Sequence, residues 1–306
     1  MRKKWNSDNI AEQIIVSLSR REKISLRGIA EELGMSTSLF RKTICKLRRE
    51  GLIESWNVVL NPSFQKQQIF FFLLKTNPNE PLVVTKLLNN YDRTHLSSLE
   101  GITGGYSLIC RFHFPNASEF LDSLEHLYEL VGETTFQKYQ PIEVIKAYKE
   151  YGFPCQQLKR ALRPQEIEKL HQIQKLGEES ELPPSTYYIA KQLNVSQSVV
   201  YRQLKNWKDE KIILGYSINT PFWQEYYLHS YIQIKAPLGR YRSVTNFCLN
   251  NTRVIDIYRT NQEYSLLLKT RHPNLTDLNN FLKTLYQQTE VEDTITRIVL
   301  DLLRRY

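Results

Sequence analysis

Apolar positions along this chain follow two periods, and the two alternate twice. From residue 8 to residue 56 they fall three and four apart, the spacing of helices that pack by one face. Ile10, Ile14, Ile15 and Leu18 make one such face, with Ser7 placed to cap it. A second helix starts at Ser25, turns Leu26, Ile29, Ala30 and Leu33 inward, and stops at Gly34, where glycine accepts the left-handed backbone that ends helices. Ser36 caps a third helix with the stripe Phe40, Ile44 and Leu47; Gly51 closes it and Leu52-Ile53 begin a strand. Beyond Pro62 the pattern becomes strand-like. Strands are expected at Gln68 to Thr76, His95 to Gly101, Tyr106 to Phe114 and Thr134 to Tyr148, the last interrupted at Pro141. Helices are expected at Glu80 to Tyr91 and Asn116 to Leu130.

The pattern then restarts. Ser185 caps a helix burying Ile189, Ala190 and Leu193, and Asn194, the next residue most tolerant of left-handed backbone, stands where glycine stood. Ser196 caps a helix with the stripe Val200, Leu204 and Trp207. The preceding stretch, Gly177 to Pro184, is longer and acidic and reads as a surface insertion. Strands follow at Tyr227 to Lys235, Arg253 to Arg259, Tyr264 to Thr270 and Val291 to Leu303, with helices at Tyr241 to Asn250 and Asn274 to Gln287. Identities mark the same duplication: Ile29-Ala30 and Leu33 return as Ile189-Ala190 and Leu193 at a shift of 160, and Tyr106-Ser107-Leu108 returns as Tyr264-Ser265-Leu266 at a shift of 158.

Two short helices joined by a tight turn form a helix-turn-helix, and β-α-β-β-α-β is the ferredoxin-like split unit. The expected fold class is therefore α+β, with two repeats of an N-terminal (winged) helix-turn-helix and a ferredoxin-like domain. The boundaries read as 1–62, 63–150, a linker 151–163, 164–222 and 223–306. Ile69 to Leu74 and Leu266-Leu267-Leu268 are apolar without alternation, so each sheet needs a cover on its second face as well. The other half of the chain, or a second chain, is the natural candidate.

Charge narrows the partner. With 41 Lys+Arg against 32 Asp+Glu the chain carries +9, which favours a polyanion over an acidic small substrate. From Ser36 to Glu50 five cations face one acid, 5 − 1 = +4, whereas Ser196 to Glu210 gives 3 − 2 = +1. With the apolar stripes inward, Thr37, Ser38, Arg41, Lys42 and Lys46 point outward in the first helix, and Gln197, Ser198, Tyr201, Arg202 and Lys205 in the second. A recognition helix contacts DNA with its N-terminal residues: arginine can fork onto guanine, and hydroxyls such as that of Ser36 suit phosphate oxygens or base edges. The expected partner is double-stranded DNA. Cys45, Cys110, Cys155 and Cys248 stand far apart and read as reduced thiols; no metal, phosphate-loop or Ser/His/Asp set is visible, and no cofactor is expected. The longest apolar run is a strand's length and no leader pattern precedes it, so no membrane span is expected and the chain reads as cytoplasmic.

Taken in order, Ile29-Ala30, Leu33-Gly34, Ser36, the Phe40/Ile44/Leu47 stripe and Gly51-Leu52-Ile53 resemble the Lrp/AsnC (feast/famine) family of prokaryotic regulators. Residues 7–150 and 164–306 each resemble one family subunit. The resemblance implies transcription regulation, dimerisation through the ferredoxin-like domain, either as an intrachain pseudo-dimer or a domain-swapped homodimer, and an amino-acid-like effector. The family's Gly-Asp-Tyr-Asp effector loop corresponds to Gly104-Gly105-Tyr106 and, in the second half, to Tyr264, but its acidic residues are absent at Thr103 to Ser107 and its glycine at Thr260 to Tyr264. Siroheme decarboxylases resemble the same domain pair in fused tandem. The six histidines (His95, His113, His126, His171, His229, His272) do not recur at matching repeat positions, which leaves that enzymatic reading, and that of a metabolite sensor without DNA binding, as alternatives to a regulator.

Overall fold

The computed structural model describes residues 10–65, 67–76, 82–92, 95–131, 138–158, 160–237 and 239–304. Ser7 and the start of the expected strand at Thr134 lie outside the described residues. In chain order the elements are α1 (Ile10–Leu18), α2 (Leu26–Glu32), α3 (Thr37–Arg49), β1 (Ser55–Leu60), β2 (Gln68–Lys75), α4 (Leu82–Asn90), β3 (Leu96–Ile102), β4 (Leu108–Phe114), α5 (Ala117–Val131), β5 (Lys138–Glu150) and β6 (Phe153–Pro154). The second half supplies α6 (Pro164–Glu179), α7 (Thr186–Gln192), α8 (Gln197–Asp209), β7 (Ile213–Asn219), α9 (Phe222–Tyr226), β8 (Leu228–Lys235), α10 (Tyr241–Asn250), β9 (Val254–Thr260), β10 (Leu266–His272), α11 (Leu275–Gln288) and β11 (Asp293–Arg304). A 3-10 turn, Pro62–Gln65, follows β1. These elements form two compact units, and each draws on both halves of the chain: residues 1–65 with 155–225, and 66–154 with 226–306.

In the first unit the helix-turn-helix modules share a two-stranded antiparallel ladder, β1 with β7. Asn57 faces Ser217, and 217 − 57 = 160 is the repeat shift itself, so a pseudo-two-fold axis passes through this pair. The modules are interlocked. Leu60 of β1 joins Leu170, Ile173, Ile189, Val200 and Trp207 of the second half in one core. Helix α6 runs to Glu179, so Gly177 lies within the helix and not in the expected surface loop. It faces Trp56 of β1 so closely that any Cβ at Gly177 would overlap the Trp56 carbonyl oxygen. The linker is likewise not free, since Leu162 is buried in the same core.

In the second unit both ferredoxin-like halves have the expected element order. Pro141 does not interrupt β5: it pairs with Phe72, and over Lys138–Glu143 that strand has β2 on one side while β9 joins only from Val144, so the missing N–H costs no ladder bond. Strand β5 then leaves its own sheet for β9, and β11 passes in the same way from β8 to β3. Bulges mark both crossings. The order β3-β4-β2-β5-β9-β10-β8-β11 returns to β3 and closes a ring. This explains the non-alternating strands. Phe70, Phe72 and Leu74 face α4 and α5, while Ile69, Phe71 and Leu73 face a second core shared with Tyr231, Tyr258 and Leu267. The Phe71 ring lies 5.2 Å from that of Tyr258 and 6.2 Å from that of Tyr231.

Charges occupy one side of that shared interior. Arg111 pairs with Glu150 at 2.7 Å, Tyr258 donates to the other Glu150 oxygen at 2.7 Å, and Lys269 pairs with Glu100 at 2.5 Å. Asp256, opposite Lys269 in the ladder, accepts from the Tyr151 amide at 2.7 Å. Burial, then the neighbouring Glu150 carboxylate, push Asp256 up to about 7, against the pull of Lys269 and Arg111. Between its ordinary value of 3.8 and about 7 the folded protein holds a proton that the unfolded chain has lost. Stability of this unit should therefore fall as pH rises from about 4 to about 7 and level off above. Asp256→Asn should flatten that slope in urea midpoints measured across the range; an unchanged slope would assign it elsewhere. The two cations occupy one repeat position, 269 − 111 = 158, a signal present in the sequence that its apolar reading passed over.

Candidate nucleic-acid interface

Each module builds its presenting helix with the same local devices. The Ser25 side chain accepts from the Gly28 amide, Ser36 from Leu39, Ser185 from Tyr188 and Ser196 from Val199, so the expected caps Ser36, Ser185 and Ser196 form and Ser25, at the expected start of the second helix, caps as well. Gly34 and Asn194 both take left-handed backbone, at φ 65° and 53°, and keep one turn geometry in the two halves. Phe40, Ile44 and Leu47 are buried beneath α3, and Val200 and Trp207 beneath α8. Ile10, by contrast, is half-exposed, and Ala11 takes its place in the face of α1. Trp207 also donates its indole N–H to Glu166 at 3.2 Å, and Glu166 is held by Arg160 at 2.8 Å.

Burying those stripes brings the expected contact residues to the surface. Ser38, Arg41 and Lys42 are exposed on α3, and Arg41 and Lys42 have no ion-pair or hydrogen-bond partner among the described residues. Thr37 is half-buried. Ser36 is occupied in capping, and Lys46 stands 3.9 Å from Glu50. On α8, Gln197, Ser198, Tyr201, Arg202 and Lys205 are all exposed; Gln197 donates to Thr186 at 3.0 Å and Ser198 shares a hydrogen bond with Ser196 at 3.0 Å. Leu39, 51% exposed, is a contact candidate that sequence reading missed, because an apolar residue off the stripe carries no polar signal; it suits a thymine methyl.

The charge count along α3 needs correction. Arg48 donates to the backbone carbonyls of Ser180, Ile53 and Glu178, and Arg49 pairs with Glu181 at 3.4 Å. The acidic stretch is thus a clamp of the second module on the C-terminal turn of α3, and two of the five cations serve it. On α8, Lys208 donates to the Glu22 carbonyl at 2.5 Å. Between α3 and α8 lies a cleft of about 730 Å³ that Arg41, Tyr201 and Lys205 line together.

The expected effector positions are differently placed. Gly104, at φ 101°, and Gly105 form the turn between β3 and β4, but Tyr106 is buried in the shared core, with Lys138 4.8 Å and Arg297 5.5 Å from its ring centre. Tyr264 donates to Asp293 at 2.5 Å. Both phenols thus have partners from their own unit. Among the described residues no group of three or more His, Cys, Asp or Glu side chains is placed to hold a metal, and no helix is long and apolar enough to cross a membrane.

Comparison with known proteins agrees with this geometry. Residues 230–305 match the Lrp/AsnC ligand binding domain. An uncharacterized HTH-type transcriptional regulator of Pyrococcus abyssi is 27% identical over 117 residues, 38% of this chain and 80% of the relative. The HTH-type transcriptional regulator FL11 of Pyrococcus furiosus is 27% identical over 113 residues, 37% of this chain and 75% of that protein. Among solved structures, the siroheme decarboxylase NirDL shares the fold across both halves: TM-score 0.63 and 15% identity, covering 97% of this chain and 93% of that one. Helix-turn-helix and ferredoxin-like modules in this order, with residues 230–305 matching the ligand binding domain, make the chain similar to regulators of the Lrp/AsnC type.

Proposed function

We propose that this chain is a sequence-specific regulator of transcription that binds double-stranded DNA through both helix-turn-helix modules. The observation that carries the reading is the pseudo-two-fold at Asn57/Ser217, which relates two capped helices whose outward residues are exposed. Two heads related in this way suit an inverted repeat, with half-sites about 10 bp apart or a multiple of that. Arg41 and Lys42 in one head correspond to Tyr201 and Arg202 in the other, so the half-sites should differ and give the bound chain a direction. Binding selection from random DNA followed by footprinting tests this. A perfectly symmetric consensus would mean that like heads pair across two chains, and the intrachain reading would fall.

The clamp adds a second expectation. Because Arg48 and Arg49 tie α3 to the other module, the separation of the heads is held and the protein should accept one half-site spacing. Arg48→Ala/Arg49→Ala should broaden the accepted spacings in a gel-shift series in which the spacer varies by single base pairs; an unchanged tolerance would show that the clamp does not set the distance. Deleting residues 1–60 is a poor test of the first head, since it removes Leu60 and β1 from the core of the second.

An enzymatic reading is kept by one observation, the fold shared with a siroheme decarboxylase over nearly the whole chain. The histidines bring it little support. His272 is fully buried against Asp277 at 2.8 Å, and His113 is half-buried beside Ser97 at 3.0 Å, its basicity lowered first by desolvation and then by Arg111. A tetrapyrrole absorption band that shifts on adding siroheme to the purified chain, with loss of carboxylate from the product, would favour the enzyme over the regulator.

A further inference from the structure

The cleft between the two modules has more than a DNA surface needs. Its volume, about 730 Å³, falls within the range of small-molecule sites, roughly 300–1,000 Å³. Its floor includes Trp56 and Tyr216, which belong to the β1–β7 ladder, and its wall includes Tyr201. Trp56 is almost fully buried, yet its indole N–H has no acceptor. A buried donor left unpaired costs about 1–3 kcal/mol.

Charge defines what fits. Lys23, Arg27, Arg41, Lys205 and Lys208 line the cleft against Glu22 and Asp209; with Arg27 taken by Glu31 and Lys208 by the Glu22 carbonyl, the free excess is 3 − 2 = +1. Lys208 is held below its ordinary value, first by burial, with Lys23 and Lys211 adding repulsion against the pull of Glu22 and Asp209. An anion would relieve both effects. Aromatic side chains beside cations are also the means by which proteins hold bases without reading them.

We propose that the cleft between the two helix-turn-helix modules is a binding site for a small planar aromatic anion of the mononucleotide class, and that its occupancy excludes DNA. The site rests on the cleft itself; the exclusion rests on the DNA-binding reading, because Arg41, Tyr201 and Lys205 would serve both ligands. Control of the heads then lies within the DNA-binding unit, where the ligand withdraws recognition side chains directly.

The test uses the full chain with AMP as probe, adenosine and inorganic pyrophosphate as comparators, and calorimetry for binding. AMP should bind saturably, and each comparator at least about tenfold more weakly, because each lacks half of the matching chemistry. Tyr201→Ala, at a 63% exposed position where folding is not at stake, should weaken AMP about tenfold or more. Lys23→Glu/Lys208→Glu should abolish binding, with a thermal melt confirming the fold. At ten times its own Kd, AMP should raise the apparent Kd for the selected DNA about tenfold. No saturable binding up to millimolar AMP would overturn the site, as would equal binding of pyrophosphate or adenosine, or AMP binding indifferent to these variants. AMP binding that leaves DNA affinity untouched would overturn the exclusion. A chain that binds AMP in this way but no DNA sequence would sink the regulator and leave the site standing.

Discussion

Gly177→Ala should dissociate the two helix-turn-helix modules from each other, although it adds one methyl group. That carbon has no room, because the Trp56 carbonyl oxygen occupies its position and belongs to a ladder strand that cannot rotate away. Helix α6 must therefore back off from β1. Overpacking of this kind costs typically 1–3 kcal/mol, and a backbone obstacle places it at about 3 or above. Part of the second module's core is shared, through Leu60 and Leu162, so the loss spreads to both modules. In a thermal melt the first unit should unfold earlier while the ferredoxin-like unit keeps its own transition. DNA affinity should fall with the first transition. Wild-type melting of Gly177→Ala would mean that α6 and β1 are not in this contact in solution.

Arg41→Ala/Lys42→Ala and Arg202→Ala/Lys205→Ala should cost similar amounts of DNA affinity. The count along the helices, +4 against +1, predicts instead that the first head dominates. Geometry removes that margin. Arg48 and Arg49 are spent on the acidic clamp and Lys46 lies near Glu50, which leaves Arg41 and Lys42 against Arg202 and Lys205 as the exposed cations. Each double substitution should lower the slope of log affinity against log salt by about two, near one per phosphate contact. The heads should differ in what they read. If Arg41 forks onto guanine, its loss should relax one base in one half-site at a cost of about 1–3 kcal/mol. Titrations at several salt concentrations, with selection repeated for each variant, separate the two effects. A much larger slope change for the first pair would restore the dominance of the first head.

Local devices in this chain were readable because local chemistry sets them. Serine before a helix, glycine or asparagine after it, and stripes three and four apart act within a dozen residues, and all four caps and both turns stand where those residues lie. The second cover over Phe71 was equally readable, since an unbroken apolar strand cannot face water on either side. Lys211 shows where such reading stops. It takes left-handed backbone, φ 60°, at the repeat position of Gly51, and nothing in a lysine announces that.

Periodicity says which face of an element is buried but carries no record of what buries it. Helix content, strand order within each half, the duplication and the outward set around Arg41 and Tyr201 therefore belong to the sequence. The pairings between the two halves do not: β1 with β7, β5 with β9, β11 with β3, and Arg48 with the clamp join residues too far apart for any local preference. Only closing the tertiary structure decided them. Closure also decided the charge, because a cation counts toward a polyanion only when no nearer carbonyl or carboxylate has already taken it.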